Sequence, residues 1–327
     1  MSKTDIIFQT MCQDILTNGT DTKGEAVRPH WPDGTPAYTI KQFGVCNKYD
    51  LSEEFPALTL RPTGIKSATD ELLWIWQKKS NNIHELNSHI WDSWADETGS
   101  IGKAYGYQLG ILYPAKNVTK EQLERVFEDG IWVYPNETDI PTFIKKGNPD
   151  CIYAKWNPTR KCYMLDQVNK VIYDLKTTPF SRRILTSIYT FADLDDMALH
   201  PCAYSMTFNV TQDPKTKELI LNSILNQRSN DVLAANNWNV VQYAILTMML
   251  AQVCGMKAGT FIHMIADAHI YDKHVPIIQE LITRTPFPAP KVTLNPEIHN
   301  FYDFTPQDVY VENYQKHPQI KNIPIAI

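Results

Sequence analysis

The most informative segment of this chain reads AYSMTFNV (203–210), TQDPKTK (211–217) and ELILNSILNQR (218–228). In the first part an apolar side chain recurs at every second position, which is typical of a β-strand with one buried face. The last part also has the composition of a strand, and the polar middle favours a turn. The segment therefore predicts an antiparallel hairpin centred near residue 215, in which Cys202 and Arg228 lie side by side at the open end.

Cys202 is the best candidate for a nucleophile in this chain. A thiol beside a guanidinium has its thiolate stabilised by the positive charge, and Pro201 gives a rigid entry to the strand. The alternative is an ordinary half-buried strand cysteine, because cysteines are often merely buried. The hairpin alone does not decide between these two interpretations.

Length and composition restrict the class of protein without naming a function. The 327 residues allow one large domain or two modest ones, and 43% apolar with 20% charged residues excludes a disordered, collagenous or small disulfide-rich protein. The formal net charge of −5 excludes a surface that attracts nucleic acid or anionic membranes as a whole. An anionic ligand would therefore need a local cluster of arginines.

Several features predict a soluble, cytoplasmic protein without a membrane or DNA partner. The N-terminal sequence MSKTDIIFQTMCQDIL lacks the apolar stretch and the cleavage site of a secretion signal. The longest apolar stretch, residues 240–253, is interrupted by polar residues and is too short to span a bilayer comfortably. The six cysteines include no CxxC pair and no histidine at metal-binding spacing, so we expect no metal site. Disulfides remain an alternative to free thiols.

A strong helix is expected before residue 80. It opens at Ser67, with Asp70 in the position of a capping box, and continues through ELLWIWQKK to about Lys79. The spacing of its apolar residues puts Glu71 at the edge of a stripe that faces the core.

The middle of the chain changes in character. Residues 111–164 are richer in Lys, Asn, Pro and Asp and have one helical patch at 119–129, which favours an insertion or a peripheral subdomain. Apolar residues at helical spacing over 165–175 then predict an amphipathic helix that ends before Thr178. Strands dominate from about residue 184.

Two clusters of donors could hold a phosphate. Arg228 and Ser229 lie together in QRSND (227–231), and Arg182 and Arg183 lie together in the SRR motif. Adjacent arginines on one strand point to opposite faces, so Arg182 and Arg183 cannot easily serve one site of their own subunit. A phosphate held by arginines of two subunits is one solution, and solvated surface arginines are the alternative.

Three further groups could bind parts of a nucleotide. His269 and Tyr271 in DAHIY project to the same face of a strand and could hold a sugar hydroxyl, although a core histidine is the alternative. Asn239 begins an apolar helix, where it could cap the helix or present its amide to a pyrimidine edge. Residues 90–110 cluster aromatic and acidic side chains, which suit a stacked heterocycle but are also common in cores.

Taken together, these segments resemble the thymidylate synthase family. The matching stretches are ELLWIWQ, HIWDSWADETGSIGKAYGYQLG, SRR, ALHPCAYSMTFNV, QRSND, NVVQY, DAHIYDKH, FYDFTPQDVYVENY and the C-terminal PIAI. The resemblance implies an α/β fold of the α+β kind, with a large mixed or antiparallel sheet packed by helices and one sheet face at a homodimer interface. It also implies a single catalytic domain over 1–327 with a peripheral insertion at about 111–164.

The family's activity is the reductive methylation of dUMP to dTMP, with 5,10-methylenetetrahydrofolate as co-substrate and dihydrofolate as product. The resemblance implies that Cys202 attacks C6 of dUMP and that Glu71 manages protons around the uracil O4. It implies that Tyr105 assists removal of the C5 proton and that Asn239 recognises the uracil edge. It places Arg228 and Asp231 in the same catalytic set.

The remaining expected contacts divide between the nucleotide and the folate. The resemblance implies that the substrate is bound by Arg28, Gln227, Arg228, Ser229, Asn239, His269 and Tyr271, with Arg182 and Arg183 donated by the second subunit of the homodimer. Among these, His269 and Tyr271 bind the ribose 3′-hydroxyl. The folate side is expected to comprise Ile90, Trp91, Trp94, Asp231, Ala326 and Ile327, with the C-terminus folding over the site as a lid.

Three stretches depart from the family pattern. Ala203 follows the nucleophile where many members carry histidine, and Thr59-Leu60-Arg61 replaces the usual T-T-K. The usual L-G-x-P-F before the base-reading asparagine is here AANNW (234–238), which changes a wall near the folate. The polar pair Asn236 and Asn237 could admit water to that wall.

Two alternative functions follow. If water quenches the exocyclic methylene, the chain is a deoxyuridylate hydroxymethylase that releases tetrahydrofolate; Trp91 and the intact PIAI terminus argue for the exclusion of water. A non-catalytic nucleotide-binding paralogue is the other alternative. The joint presence of Cys202, Glu71, Tyr105 and Asn239 argues against it, since a binding module has no use for the thiol.

Overall fold

The computed structural model describes residues 1–134 and 140–326. Its α-helices are α1 (Lys3–Asn18), α2 (Ile65–Trp76), α3 (Gly106–Gly110), α4 (Lys120–Val126), α5 (Gln167–Thr177), α6 (Asn236–Val253) and α7 (Val275–Leu281). Its strands are β1 (Thr20–Asp21), β2 (Thr39–Asp50), β3 (Tyr113–Ala115), β4 (Gly130–Val133), β5 (Thr142–Lys145), β6 (Asn148–Asn157), β7 (Cys162–Leu165), β8 (Leu185–Ser187), β9 (Ala203–Gln212), β10 (Leu219–Gln227), β11 (Asn230–Asp231), β12 (Lys257–Tyr271), β13 (Lys291–Leu294) and β14 (Val309–Glu312).

The largest sheet has seven strands in the order β1-β2-β12-β10-β9-β8, with β11 also paired to β12. It is mixed: β10 and β11 run parallel to β12, whereas the other neighbours are antiparallel. Helix α6 packs on β10 and β12 of this sheet, and α2 packs on α6. A large mixed sheet packed by helices is therefore confirmed.

The predicted hairpin is β9–β10, and its register contains an irregularity that the sequence did not reveal. Over most of the hairpin the register follows the pair Leu219 and Gln212. If this register continued unchanged, it would pair Arg228 with residue 203. A bulge next to Gln227 shifts the register by one residue. The backbone N–H of Arg228 consequently donates to the Cys202 carbonyl at 2.9 Å, as predicted.

Helix α2 differs from its predicted form at both ends. It begins at Ile65 after Gly64, without a side-chain cap, and ends at Trp76. The predicted capping box at Ser67 is wrong, because the Asp70 carboxylate instead accepts hydrogen bonds from the backbone and side chain of Asn87. Glu71 is also not at the edge of the apolar stripe: it is 5% exposed and lies inside the core.

Helix α6 begins at Asn236, three residues before its predicted start. Asn239 therefore lies within the first turn, where its backbone N–H donates to the Ala235 carbonyl at 3.0 Å, and it is not the cap. Of the two roles considered for Asn239, only the presentation of its amide remains. The predicted helix over 165–175 is confirmed as α5.

The segment expected to be an insertion forms its own antiparallel sheet, with five strands in the order β3-β7-β6-β5-β4. Its helical patch is α4, which is shorter than predicted and begins with a capping box between Thr119 and Gln122. Phe127 stacks on Tyr153 at 4.3 Å between ring centroids, and both belong to the main apolar cluster. The division into one catalytic domain with a peripheral insertion stays a prediction.

The cysteines are free thiols: three are buried, Cys202 and Cys254 are half-buried, and Cys46 is exposed. Free thiols are therefore the correct choice over disulfides. Within residues 1–134 and 140–326, no helix has the length and apolar character needed to cross a membrane.

Gly106 marks a close approach of backbones beside α3. A β-carbon built at Gly106 would lie 2.3 Å from the carbonyl oxygen of Ser80 and 2.6 Å from its nitrogen, and backbone atoms cannot turn aside as a side chain can. We expect Gly106→Ala to lower the free energy of unfolding by about 1–3 kcal/mol, measured by urea denaturation. Gly64→Ala is the matched control, because its nearest neighbours are at 3.7 Å. Equal stability of the two variants would contradict this.

Candidate active site

Cys202 lies at the open end of β9–β10 with the Arg228 guanidinium beside it. Arg228 Nη2 is 3.7 Å from Cys202 Sγ and also donates to the His200 carbonyl at 2.7 Å, while Nε donates to the Pro201 carbonyl at 3.0 Å. The guanidinium is thus held by two backbone acceptors in a fixed position. Its charge faces the sulfur because both side chains leave the same bulged end of the hairpin.

Burial raises the pKa of the Cys202 thiol, and the positive charges of Arg228 and Arg28 lower it by a smaller amount. The sequence predicted the favourable charge but not that burial would exceed it. Cys202 is consequently a thiol at neutral pH in this chain, and its reaction requires that the proton be removed. Arg28, far away in sequence, is close enough to Cys202 to act on its charge.

Glu71 is the buried carboxyl of the site. Its carboxyl oxygens accept hydrogen bonds from Trp91 Nε1 at 2.7 Å, from Gln242 Nε2 at 2.8 Å and from Trp238 Nε1. Burial raises the pKa of Glu71, although these three donors oppose that change. A carboxyl with a raised pKa can both give and take a proton near neutral pH, which suits acid–base work.

Tyr105 links the thiol to the aromatic wall. Its hydroxyl accepts a hydrogen bond from the Cys202 backbone N–H at 3.3 Å, and its ring meets Trp91 edge-on at 5.1 Å. Its backbone has φ 45° and ψ −104°, a conformation that L residues adopt only under strain and that is often found at functional sites. Burial raises the pKa of Tyr105 well above its usual value, so the hydroxyl stays protonated.

Asn239 is half-buried between two glutamines. Its Oδ1 accepts from Gln227 Nε2 at 3.1 Å, and its Nδ2 donates to Gln242 Oε1 at 3.3 Å. One lone pair and one N–H of the amide remain for a ligand. Gln242 thereby joins Asn239 to Glu71, a connection that the sequence analysis missed.

His269 and Tyr271 lie at the end of β12, with their rings edge to face at 5.1 Å. His269 Nδ1 is 2.8 Å from Asp267 Oδ1, which leaves Nε2 for another partner. Tyr271 also packs against the rings of Trp31 and His274. The two residues are thus neighbours on one strand end, as their spacing predicted.

Asp231 and the C-terminal segment meet at His274, which the sequence analysis also missed. The Asp231 carboxylate accepts from the backbone N–H groups of Leu233 and Ala234, and lies 3.5 Å from His274 Nδ1. The other ring nitrogen of His274 is 2.7 Å from the Pro324 carbonyl. Burial lowers the pKa of His274, but Asp231 and that carbonyl more than offset it and hold the pKa above its usual value.

The other expected residues are less tightly held. Arg182 and Arg183 are exposed in a turn before β8, so the expectation that they share a strand is wrong. Within the part of the chain that the structure describes, no hydrogen bond joins either to Cys202 or Arg228. The remaining positions are Ser229, Trp94 and Ala326, which are half-buried, and Ile90, which is exposed. Ile327 lies outside the described residues.

The departures from the family pattern pack into the core rather than opening the site. Trp238 donates to Glu71, and the side chains of Asn236 and Asn237 are 2% and 3% exposed and face each other at 3.4 Å. Asn236 Oδ1 and Asn237 Nδ2 have no hydrogen-bond partner within the described residues, so the prediction that this pair could admit water stays a prediction. Arg61 is buried and donates to the Leu233 carbonyl at 2.6 Å, whereas Ala203 packs in the main apolar cluster.

No group of three or more His, Cys, Asp or Glu side chains that could hold a metal ion occurs in 1–134 and 140–326. The site brings together a thiol beside a guanidinium, a buried carboxyl and a half-buried amide, which are linked through Tyr105, Trp91 and Gln242.

Comparison with known proteins agrees with this arrangement. The sequence model of the family described as thymidylate synthase matches residues 6–326. The chain belongs to the thymidylate synthase family. It is 35% identical to the thymidylate synthase of Bacillus mojavensis and 36% identical to that of Bacillus licheniformis, in each case over 100% of both chains.

A solved structure supports the same membership. The thermostable thymidylate synthase A from Bacillus subtilis superposes with a TM-score of 0.77, at 34% identity and over 100% of both chains. The thymidylate synthase fold expected from the sequence is therefore confirmed. These relatives are all named thymidylate synthase, which supports that activity over the hydroxymethylase alternative.

The indole of Trp238 provides a test of the Glu71 environment. Its N–H stabilises the ionised carboxylate, so Trp238→Phe should raise the pKa of Glu71 further. We expect the alkaline limb of the pH profile of turnover, where Glu71 loses the proton that it would supply, to move to higher pH by about one unit. Trp132→Phe is the control, since Trp132 Nε1 donates to the surface residue Glu124. A profile shared by all three proteins would contradict the role of the indole.

Proposed function

We propose that this protein catalyses the reductive methylation of dUMP to dTMP, with 5,10-methylenetetrahydrofolate as co-substrate and dihydrofolate as second product. The observation that carries the proposal is that contacts link Cys202, Glu71, Tyr105 and Asn239 into one cluster, within a chain of this family. A thiol, a proton-transferring carboxyl and an amide with one free donor and one free acceptor are the groups this reaction needs.

The reaction begins when the Cys202 sulfur forms a bond to C6 of the uracil and the electron pair of the C5–C6 double bond moves toward O4. C5 then attacks the methylene group of the co-substrate, and the C5 proton leaves with the assistance of Tyr105. Release of the folate nitrogen gives an exocyclic methylene. A hydride from the tetrahydrofolate reduces it, and the Cys202 thiolate departs to leave dTMP.

Glu71 balances the charge that develops on O4 during these steps. Its raised pKa lets it supply a proton through ordered water when the enolate forms and take it back when the double bond is restored. Arg28 and Arg228 lower the cost of forming the thiolate. Together with Ser229, these two arginines are proposed to bind the phosphate of dUMP. Gln227 is proposed to bind near the base, and His269 and Tyr271 to bind the ribose.

Exclusion of water favours reduction over hydroxymethylation. The folate side is proposed to include Ile90, Trp91, Trp94 and Asp231, with residues 326 and 327 as a lid. The link from Asp231 through His274 to the Pro324 carbonyl supports a lid that is tied to the site. The exocyclic methylene would then meet the hydride before it meets water.

A homodimer is proposed from the sheet face opposite α6. Ile224 and Ile262 are register partners there, and Met264, two residues further along β12, is 37% exposed. An apolar face of this kind is typically covered by a second subunit. Arg182 and Arg183 would cross to the phosphate of the partner's site. The free thiols fit a reducing compartment, and we propose the cytoplasm.

Removal of the nucleophile tests the central step. We expect Cys202→Ala to lower turnover by at least about 10⁴-fold while dUMP binding stays measurable, because the sulfur is needed only for chemistry. The wild-type protein should form a complex with 5-fluoro-dUMP and the folate that survives denaturation. Cys254→Ala, at the far end of α6, is the control and should keep both properties.

The products decide between the two enzymatic alternatives. Incubation with dUMP and methylenetetrahydrofolate should give dTMP and dihydrofolate in equal amounts. Formation of 5-hydroxymethyl-dUMP with tetrahydrofolate would overturn the synthase assignment. Persistent turnover in Cys202→Ala would overturn the nucleophile, and the absence of a covalent complex would overturn both enzymatic readings.

Mixing two inactive variants tests the shared phosphate site. Cys202→Ala and the double variant Arg182→Ala/Arg183→Ala should each be weakly active alone. A mixture allowed to exchange subunits should recover activity, because one site of the mixed dimer has an intact cysteine and both arginines of its neighbour. We expect up to about half of the activity per mixed dimer. No recovery, with exchange verified by mass, would mean that the arginines act within their own subunit.

A further inference from the structure

A continuous chain of side-chain hydrogen bonds passes through Asn239. From one end it runs from His263 Nε2 to Gln227 Oε1 at 2.7 Å, and from Gln227 Nε2 to Asn239 Oδ1 at 3.1 Å. It continues from Asn239 Nδ2 to Gln242 Oε1 at 3.3 Å, and from Gln242 Nε2 to Glu71 at 2.8 Å. His263, Gln227, Gln242 and Glu71 are buried, and Asn239 alone is half-buried.

While Glu71 is ionised, the ends of this chain permit only one direction of donation. At one end Gln242 meets a carboxyl whose oxygens already accept from Trp91 and Trp238, and an indole nitrogen can only donate. At the other end Gln227 Nε2 also donates to the Ser229 carbonyl at 3.0 Å, and a backbone carbonyl can only accept. Each glutamine is therefore fixed with its N–H₂ toward an obligatory acceptor.

His263 completes the arrangement on the Gln227 side. Burial lowers its pKa to about 3, so the ring is neutral, and Nε2 carries the proton because Gln227 Oε1 can only accept. If Gln227 turned over, its N–H₂ would face this N–H and its oxygen would face the Ser229 carbonyl. The contact between the two oxygens would be repulsive, and His263 would have to move its proton to Nδ1, which has no hydrogen-bond partner within the described residues.

The direction of the Asn239 amide matters because an amide does not by itself distinguish the two pyrimidines. Uracil presents a donor at N3 and an acceptor at O4, whereas cytosine presents an acceptor at N3 and a donor at N4. An asparagine that turns by 180° exchanges its donor and acceptor, and thus matches either base. Discrimination therefore requires that something hold the amide in one orientation.

We propose that Gln242 is a specificity-determining positioning residue, which holds the Asn239 amide in the orientation that pairs with uracil and rejects cytosine. His263 supports the same orientation through Gln227. To accept cytosine, Asn239 would have to place Oδ1 against Gln242 Oε1 and Nδ2 against Gln227 Nε2. Neither glutamine can follow the turn, since each is held by its own acceptor. This inference rests on the proposed function, because it takes Asn239 as the residue that reads the base.

The test compares dissociation constants of dUMP and dCMP at pH 7.5, measured by calorimetry on the full-length protein. Gln242→Met removes both amide contacts, so the dCMP-to-dUMP ratio of dissociation constants should fall about tenfold. Gln242→Glu keeps an oxygen that accepts from Asn239 Nδ2, so it should keep the wild-type ratio while turnover falls because Glu71 loses its donor. A merely structural role of Gln242 would affect both variants alike.

Two further variants serve as control and as the test of the other end. The control is Gln252→Met. Gln252 lies on the same helix but far from Asn239, and its replacement removes two hydrogen bonds to the carbonyls of Asn295 and Ile298. It should keep the wild-type ratio. His263→Phe fills the same buried position without a donor, and should lower the ratio several-fold because only the Ser229 carbonyl then holds Gln227 in its orientation. This variant also keeps the test decisive if Gln242→Met fails to fold.

The outcomes separate this inference from the proposed function. If Asn239→Ala lowers the ratio but Gln242→Met and His263→Phe leave it unchanged, the positioning role is overturned and the base-reading role stands. If Asn239→Ala leaves the ratio unchanged, Asn239 does not read the base and both fall. A fall of equal size in Gln252→Met would attribute the effect to the helix as a whole and would also overturn the inference.

Discussion

The buried carboxyl of Glu71 is the constraint on which the site depends. A carboxyl inside a core is costly unless its oxygens are satisfied, and here three donors converge on it from different parts of the chain: Trp91, Trp238 and Gln242. These donors come from the loop after α2 and from the first two turns of α6. Satisfying one carboxyl therefore fixes how the two helices meet, and it brings Trp91 and, through Gln242, the Asn239 amide next to that carboxyl.

For the Cys202 thiol, the effect of burial on the pKa is larger than the effect of the neighbouring positive charges. Cys202 is positioned by the bulged end of a hairpin, and its neighbour Arg228 is held by backbone carbonyls rather than by an acidic partner. The guanidinium thus keeps its charge available to the sulfur and to an anionic ligand. Burial nevertheless outweighs it, so the group is inert until its proton is removed. A protonated thiol of this kind is less reactive toward oxidants than a thiolate is.

The sequence predicted elements better than their contacts. The β9–β10 hairpin and α5 followed from periodicity, because one buried face imposes a regular spacing. The juxtaposition of residues 202 and 228 was also correct, but it arises from a bulge that no periodicity signals. The capping box at Ser67 was wrong because Asp70 has a tertiary partner, which local pattern cannot reveal.

The sequence could not predict the polar contacts of the core, because these contacts also depend on tertiary partners. Gln242 and His263 occur within strongly apolar segments, where a single polar residue is usually an exposed or incidental position. The structure shows their roles through their partners: Gln242 contacts Asn239, and His263 contacts Gln227. His274 likewise became informative only through its contacts with Asp231 and the Pro324 carbonyl.

By itself, the sequence determined the family, the chemical groups and the strands and helices that carry them, because motifs and periodicity are properties of neighbouring residues. Only the tertiary structure decided the protonation of Cys202, the burial of Glu71 and the direction of the amide at Asn239. Each of these depends on the solvent access and the hydrogen-bond partners that distant segments provide. Such energies are set by what surrounds a group in space, and adjacency in the chain does not specify those surroundings.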